Sequence, residues 1–87
     1  MAQETENSRI AVLAIVVEEQ ESAVKINELL HEYGSCIIGR MGIPYPARGV
    51  SLISVAMDAP SDAISALTGK LGKVEGVTVK TAYAKQP

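Results

Sequence analysis

From Ile10 to Val17 the chain runs through eight consecutive apolar residues, with a single arginine, Arg9, ahead of them. Side chains alternate across a strand, so Ile10, Val12, Ala14 and Val16 share one face while Ala11, Leu13, Ile15 and Val17 share the other. Both faces call for burial. The next segment changes period: Ile26, Leu29, Leu30 and Tyr33 recur at helical spacing and Lys25, Glu28 and Glu32 lie mostly opposite, which predicts a helix from about Gln20 to Tyr33 with Gly34 as its stop. Glu18, Glu19, Glu21 and Ser22 precede it, where negative charge suits the positive end of the helix dipole.

A second strand is expected over Cys36–Met41. It is interrupted by Gly39 and is better suited to a sheet edge. The segment from Gly42 to Gly49 holds two prolines and two glycines, so it is expected to leave the ladder as a hairpin connection. Val50–Met57 is uncharged on both faces, the signature of a central strand. Asp58, Pro60 and Asp62 then introduce a second helix carried by Ile64, Leu67, Leu71 and Val74, with Gly69 inside it and Gly72 as a terminator. Val77–Tyr83 alternates apolar and polar residues as a half-buried strand.

The order strand, helix, strand, strand, helix, strand describes two split βαβ units. It predicts an α+β, ferredoxin-like βαββαβ sandwich: a four-stranded antiparallel sheet with both helices on one face. In that topology the first and third strands are central, and these are the two most apolar strands of the chain. A single domain is expected over residues 9–87 and a disordered polar tail over 1–8. The face without helices carries apolar side chains and no cover, so a further copy of the chain is the expected cover.

Composition narrows the function. At 87 residues and 47% hydrophobic the chain is a small globular domain, without an apolar run near the roughly 20 residues that span a bilayer. The polar, acidic start does not resemble a secretory signal, and one cysteine, Cys36, permits no internal disulfide; both point to the cytoplasm and to no membrane partner. A net charge of −2, with neither phenylalanine nor tryptophan, supplies no basic cluster or stacking platform, so no direct nucleic-acid partner is expected.

Candidate chemistry is sparse. Arg40 is an unusual strand residue, fitted to an anion or partner carboxylate, or to blocking unwanted pairing at an edge. Tyr45 stands between Pro44 and Pro46 with Arg48 nearby, an aromatic and a cation on a stiff loop. Arg40, Tyr45 and Arg48 are therefore the candidates for ligand or partner binding. His31 and Cys36 have the donor types of a zinc or nickel site, but two ligands do not complete one, and solvent-facing and buried structural roles account for them. Gly69-Lys-Leu-Gly72 superficially resembles a phosphate loop but falls within and at the end of a helix, where the dipole disfavours anions. Neither a catalytic arrangement nor a cofactor is expected.

Asn27-Glu-Leu-Leu-His31, Arg40-Met-Gly-Ile-Pro44, Leu67-Thr-Gly-Lys-Leu-Gly72 and Gly76-Val-Thr-Val-Lys-Thr81, in this order, resemble the small bacterial family called iron-only hydrogenase system regulators. The resemblance spans about Arg9 to Tyr83 and rests on the combination and its spacing. That family is similar in fold to ACT domains and to the C-terminal domain of nickel-responsive regulators, which associate through their sheets. The resemblance implies a non-catalytic, homo-oligomeric ACT-like regulatory module that binds a small effector or a protein partner at a subunit interface. An alternative is a metal-handling accessory for hydrogenase maturation, drawing His31 and Cys36 from different subunits. Where amino-acid-binding ACT domains have a glycine-containing turn, this chain has Glu18-Glu-Gln-Glu21, which is expected to repel a ligand carboxylate.

Overall fold

The computed structural model describes residues 8–85. Four strands, β1 (Ser8–Val17), β2 (Ile37–Tyr45), β3 (Val50–Pro60) and β4 (Val77–Tyr83), form one sheet in the order β2-β3-β1-β4. All neighbouring strands pair antiparallel. Helices α1 (Ala23–Glu32) and α2 (Ser61–Gly72) follow β1 and β3, completing the ferredoxin-like βαββαβ arrangement. The two most apolar strands are the central pair, because only a central position brings neighbours to both of their edges and a helix layer to one of their faces.

The core lies between the sheet and the helices. Ala11, Leu13, Ile15 and Val17 of β1 and Val55, Met57 and Ala59 of β3 are buried against Ile26, Leu29 and Leu30 of α1 and Ile64, Leu67 and Leu71 of α2. Val77 and Val79 of β4 pack partly against this cluster from the edge. Each helix contributes three buried residues at helical spacing, so tertiary burial of one stripe, more than intrinsic propensity, holds these short helices. Where the helix layer ends, Glu32 accepts an exposed salt bridge from Lys70 at 3.2 Å, and the Lys70 ammonium also lies 5.1 Å from the Tyr33 ring. The Tyr33 side chain first, and Glu32 second, hold that ammonium above the ordinary lysine range.

Several boundaries differ from the sequence expectation: β3, expected to end at Met57, runs on to Pro60, so Asp58 lies in the strand and caps nothing. β2 does not stop at Met41 but continues to Tyr45, pairing Gly42 with Ile53 and Pro44 with Ser51, and the connection shrinks to a turn at Pro46–Arg48 closed by Gly49 at φ +69°. An edge strand has one unpaired side, so a proline there need not cost a ladder hydrogen bond. α1 begins at Ala23 after a separate 3₁₀ turn at Gln20–Ser22, and no acidic residue falls in its first turn. Ser22, expected at a helix start, caps nothing; it is buried and donates its hydroxyl to the Glu75 carbonyl at 2.6 Å. The tail expected over residues 1–8 lies outside the described residues except for Ser8, which opens β1.

The β1–α1 turn is thus tied to the α2–β4 turn. Besides the Ser22 bond, the Glu18 amide donates to the Gly76 carbonyl at 2.7 Å. Gly76 has φ +73°, and a Cβ there would stand 2.8 Å from Glu19 Cβ and 3.1 Å from the Glu19 backbone nitrogen. Glycine answers both the left-handed backbone and the close approach of the two turns. Gly69, by contrast, is exposed on α2 with nothing within 4 Å of a built Cβ, so it serves no close helix contact. Two substitutions separate these cases. Gly76→Ala is expected to destabilise the chain by about 2 kcal/mol, from strain and displacement of Glu19. Gly69→Ala is expected to stabilise it by about 0.5–1 kcal/mol through helix propensity. Urea denaturation of both variants checks the pair of signs.

Candidate functional site

Two surfaces are left over once the core is filled. The first is the sheet face opposite the helices. Strand alternation puts Ile10, Val12, Ala14 and Val16 of β1 there, beside Leu52, Ser54 and Ala56 of β3 and Met41 and Ile43 of β2. Val12 and Leu52 are each 42% exposed, Ile43 51% and Met41 62%, values far outside a core. Ala14, Val16, Met41, Ile43, Leu52 and Ser54 frame a shallow apolar depression of ≈ 220 Å³ on this face. Asp58 on β3 and Lys80 on β4 supply one acid and one base at its margins.

The second surface is a cleft of ≈ 380 Å³ between α1 and edge strand β2. It arises because the helices cover the centre of the sheet and not its β2 edge, where the helix-side positions carry Arg40, Gly42 and Pro44 in place of large apolar residues. Val17, Ile26 and Ile53 supply apolar walls, and Gln20, Asn27, Arg40 and Ser51 supply polar groups. Gly42 keeps the floor open: the nearest atom to a Cβ built there is Ile53 Cγ1, at 4.0 Å. Arg40 donates from one terminal nitrogen to Asn27 Oδ1 at 2.8 Å, a bond from strand to helix that orients the guanidinium across the cleft.

The sequence-derived candidates separate in space. Arg40 lines the cleft. Tyr45 closes β2 opposite Val50 and is half exposed, and Arg48 lies in the exposed Pro46–Arg48 turn; neither lines the cleft. His31 is exposed in the last turn of α1, whereas Cys36 is half-buried against the core, so the two point to different environments. Among the described residues no three histidine, cysteine, aspartate or glutamate side chains gather as a metal site. Gly69 and Gly72 fall within and at the end of α2, not at a helix start. Asn27, Gln20 and Gly42 were not singled out from the sequence. Asn27 and Arg40 sit on different elements 13 positions apart, and only the tertiary contact reveals their pairing. The acidic turn also reads differently in place: its member lining the cleft is the neutral Gln20, while Glu19 packs against Gly76.

The comparisons with known proteins agree with this architecture. Residues 9–81, from the start of β1 well into β4, match the family model TM1266-like, described as "Iron-only hydrogenase system regulator, putative". The chain belongs to the TM1266-like family. TM1266 from Thermotoga maritima, an uncharacterised protein of known structure, is 37% identical, with 90% of this chain and 99% of that one covered at a TM-score of 0.86. The ACT domain of the GTP pyrophosphokinase of Chlorobium tepidum is 22% identical over 87% of this chain and 88% of its own, at a TM-score of 0.71. A protein of unknown function from Galdieria sulphuraria superposes at a TM-score of 0.67 with 18% identity, covering 91% of this chain and 51% of that one. These last two likenesses show the fold, which is ACT-like. No curated protein sequence matches the chain. In this TM1266-like chain Gly42 is a position from which a side chain can be built into the cleft. Gly42→Leu is expected to leave the circular dichroism spectrum unchanged and stability within about 1 kcal/mol, because the new side chain enters open space and creates no buried clash.

Proposed function

We propose that the chain is a non-catalytic regulatory module that associates with its own copies through the open sheet face and receives a small effector in the α1–β2 cleft. The observation that carries this reading is the row of apolar side chains on the central strands, Val12 and Leu52 foremost, with no layer over them. A contiguous apolar patch on a small domain marks an interaction surface. A second copy suits it because the face is apolar throughout its middle and bears one acid, Asp58, and one base, Lys80, the opposite charges that an isologous two-fold contact can pair. Membership of the TM1266-like family and the ACT-like fold support the regulatory role.

Strand β2 gives the two surfaces a physical connection. Ile43 and Ile53 border both the cleft and the depression on the open face. An occupant of the cleft therefore bears on the strand segment whose other face meets a partner copy in this reading, and any difference in ligand affinity between the free and associated states becomes a bias on assembly. Tyr45 and Arg48, at the tip of the β2–β3 hairpin beside the open face, are placed in this reading at the rim of the subunit contact. In solution the wild-type chain is expected to be a dimer or a larger closed assembly by size-exclusion chromatography with light scattering. Val12→Lys and Leu52→Lys are expected to shift it to monomer with an unchanged circular dichroism spectrum, since each buries an unpaired ammonium in the contact and leaves the helix-side core untouched. A wild-type chain that stays monomeric at millimolar concentration contradicts the reading.

A further inference from the structure

The cleft also restricts what it can hold. Among the described residues Arg40 is the one charged residue that lines it; the other polar linings, Gln20, Asn27 and Ser51, are neutral. A guanidinium has five N–H donors in a planar fork suited to a carboxylate, and one terminal nitrogen of Arg40 is already fixed by Asn27 at 2.8 Å. Among the described residues no carboxylate pairs with Arg40, the salt bridge there being that of Lys70 with Glu32. The cleft thus presents an exposed but held cation, without a carboxylate partner among the described residues, against walls of Val17, Ile26 and Ile53.

From this arrangement we infer that the effector is a compact monocarboxylate with an apolar body, a branched aliphatic or aromatic acid, and not an amino-acid zwitterion. The inference rests on the cleft being the effector site proposed above. The carboxylate meets the free edge of the Arg40 fork, with Asn27 and Ser51 as neighbouring hydrogen-bonding groups, and the apolar body lies over the floor left open by Gly42. An α-ammonium would enter the same space without an acid among the described lining residues to receive it, and beside the Arg40 guanidinium, a like charge that disfavours it. At ≈ 380 Å³ the cleft is at the small end of ligand sites, which run from about 300 to 1,000 Å³. A dicarboxylate or a nucleotide would place further negative charge where only one cation waits. Specificity here follows the rule that an apolar pocket discriminates weakly by size, whereas a site built to pair a polar group rejects analogues that leave that group unpaired.

Isothermal titration calorimetry of the full chain tests this with three matched sets of probes: 3-methyl-2-oxobutanoate and benzoate as monocarboxylates, isobutyramide and benzamide as neutral isosteres, and valine and phenylalanine as zwitterions. The expected result is saturable binding of a monocarboxylate, at least tenfold tighter than either of the other sets. Arg40→Gln is expected to remove that preference, Arg40→Lys to retain part of it, and Gly42→Leu to abolish binding of every probe while the fold persists. Equal affinity for acids and amides, tighter binding of the amino acids, or carboxylate binding that survives Arg40→Gln overturns the ligand class and leaves the cleft itself standing as a site. Binding that survives Gly42→Leu overturns the location. A chain that self-associates in light scattering yet binds none of the monocarboxylates overturns this inference alone, whereas failure to self-associate overturns the module reading independently.

Discussion

A two-layer sandwich can bury only one face of its sheet, and this chain has built a sheet whose central strands are apolar on both. The helix side is well served. Leu13, Ile15, Val55 and Met57 disappear beneath Ile26, Leu30, Ile64 and Leu67, and this burial supplies most of the drive to fold a chain near the lower size limit for a single core. The opposite side carries Val12, Leu52, Met41 and Ile43 without a layer of its own. Strand alternation makes the two faces inseparable, since adjacent residues of β1 are committed to opposite sides. In the proposed reading the function depends on a third layer, which a second copy of the chain would provide at no cost in length.

How much of this could be read from residue order follows the range of the interactions involved. The central positions of β1 and β3, the identity of both helices and the ferredoxin-like order were legible because hydrophobic period is a local property that agrees with the topology. The extent of β2 was not, because Gly42 and Pro44 read locally as loop residues and only the edge position makes them acceptable in a strand. Ser22 looked like a helix cap by its neighbours in the chain. Its actual partner, the Glu75 carbonyl, lies 53 positions away. The same limit governs the cleft: Arg40 stood out as a charge in a strand, but Asn27, which orients it, has no distinguishing feature until the helix and the strand are side by side. Tyr45 and Arg48 stood out as loop residues and lie at the hairpin tip, away from the cleft that Arg40 lines.

For this member of the TM1266-like family, the proposed regulatory role has its physical basis in the chain's own surfaces. The same edge strand contributes Arg40 and Gly42 to the cleft on one side and Met41 and Ile43 to the apolar face on the other. Edge strands tolerate this double use because one of their sides is free of ladder partners and their side chains are not locked into a core. In the proposed reading, coupling between a ligand and an assembly runs through the β2–β3 segment around Ile43 and Ile53, whose two faces border the two surfaces, without any long chain of intermediates. Glu19 packs against Gly76 in the β1–α1 turn, and Gln20 is the member of that turn that lines the cleft.

The central claim, that the open face is covered in solution, is most directly tested by methyl NMR with a soluble paramagnetic relaxation agent, using Val24 on the outer side of α1 as the solvent-exposed reference at 68% exposure. The account predicts that the methyl groups of Ile10, Val12, Ile43 and Leu52 are strongly shielded relative to those of Val24. Relaxation of these four residues equal to that of Val24 at the same protein concentration would show the face wetted and contradict the account.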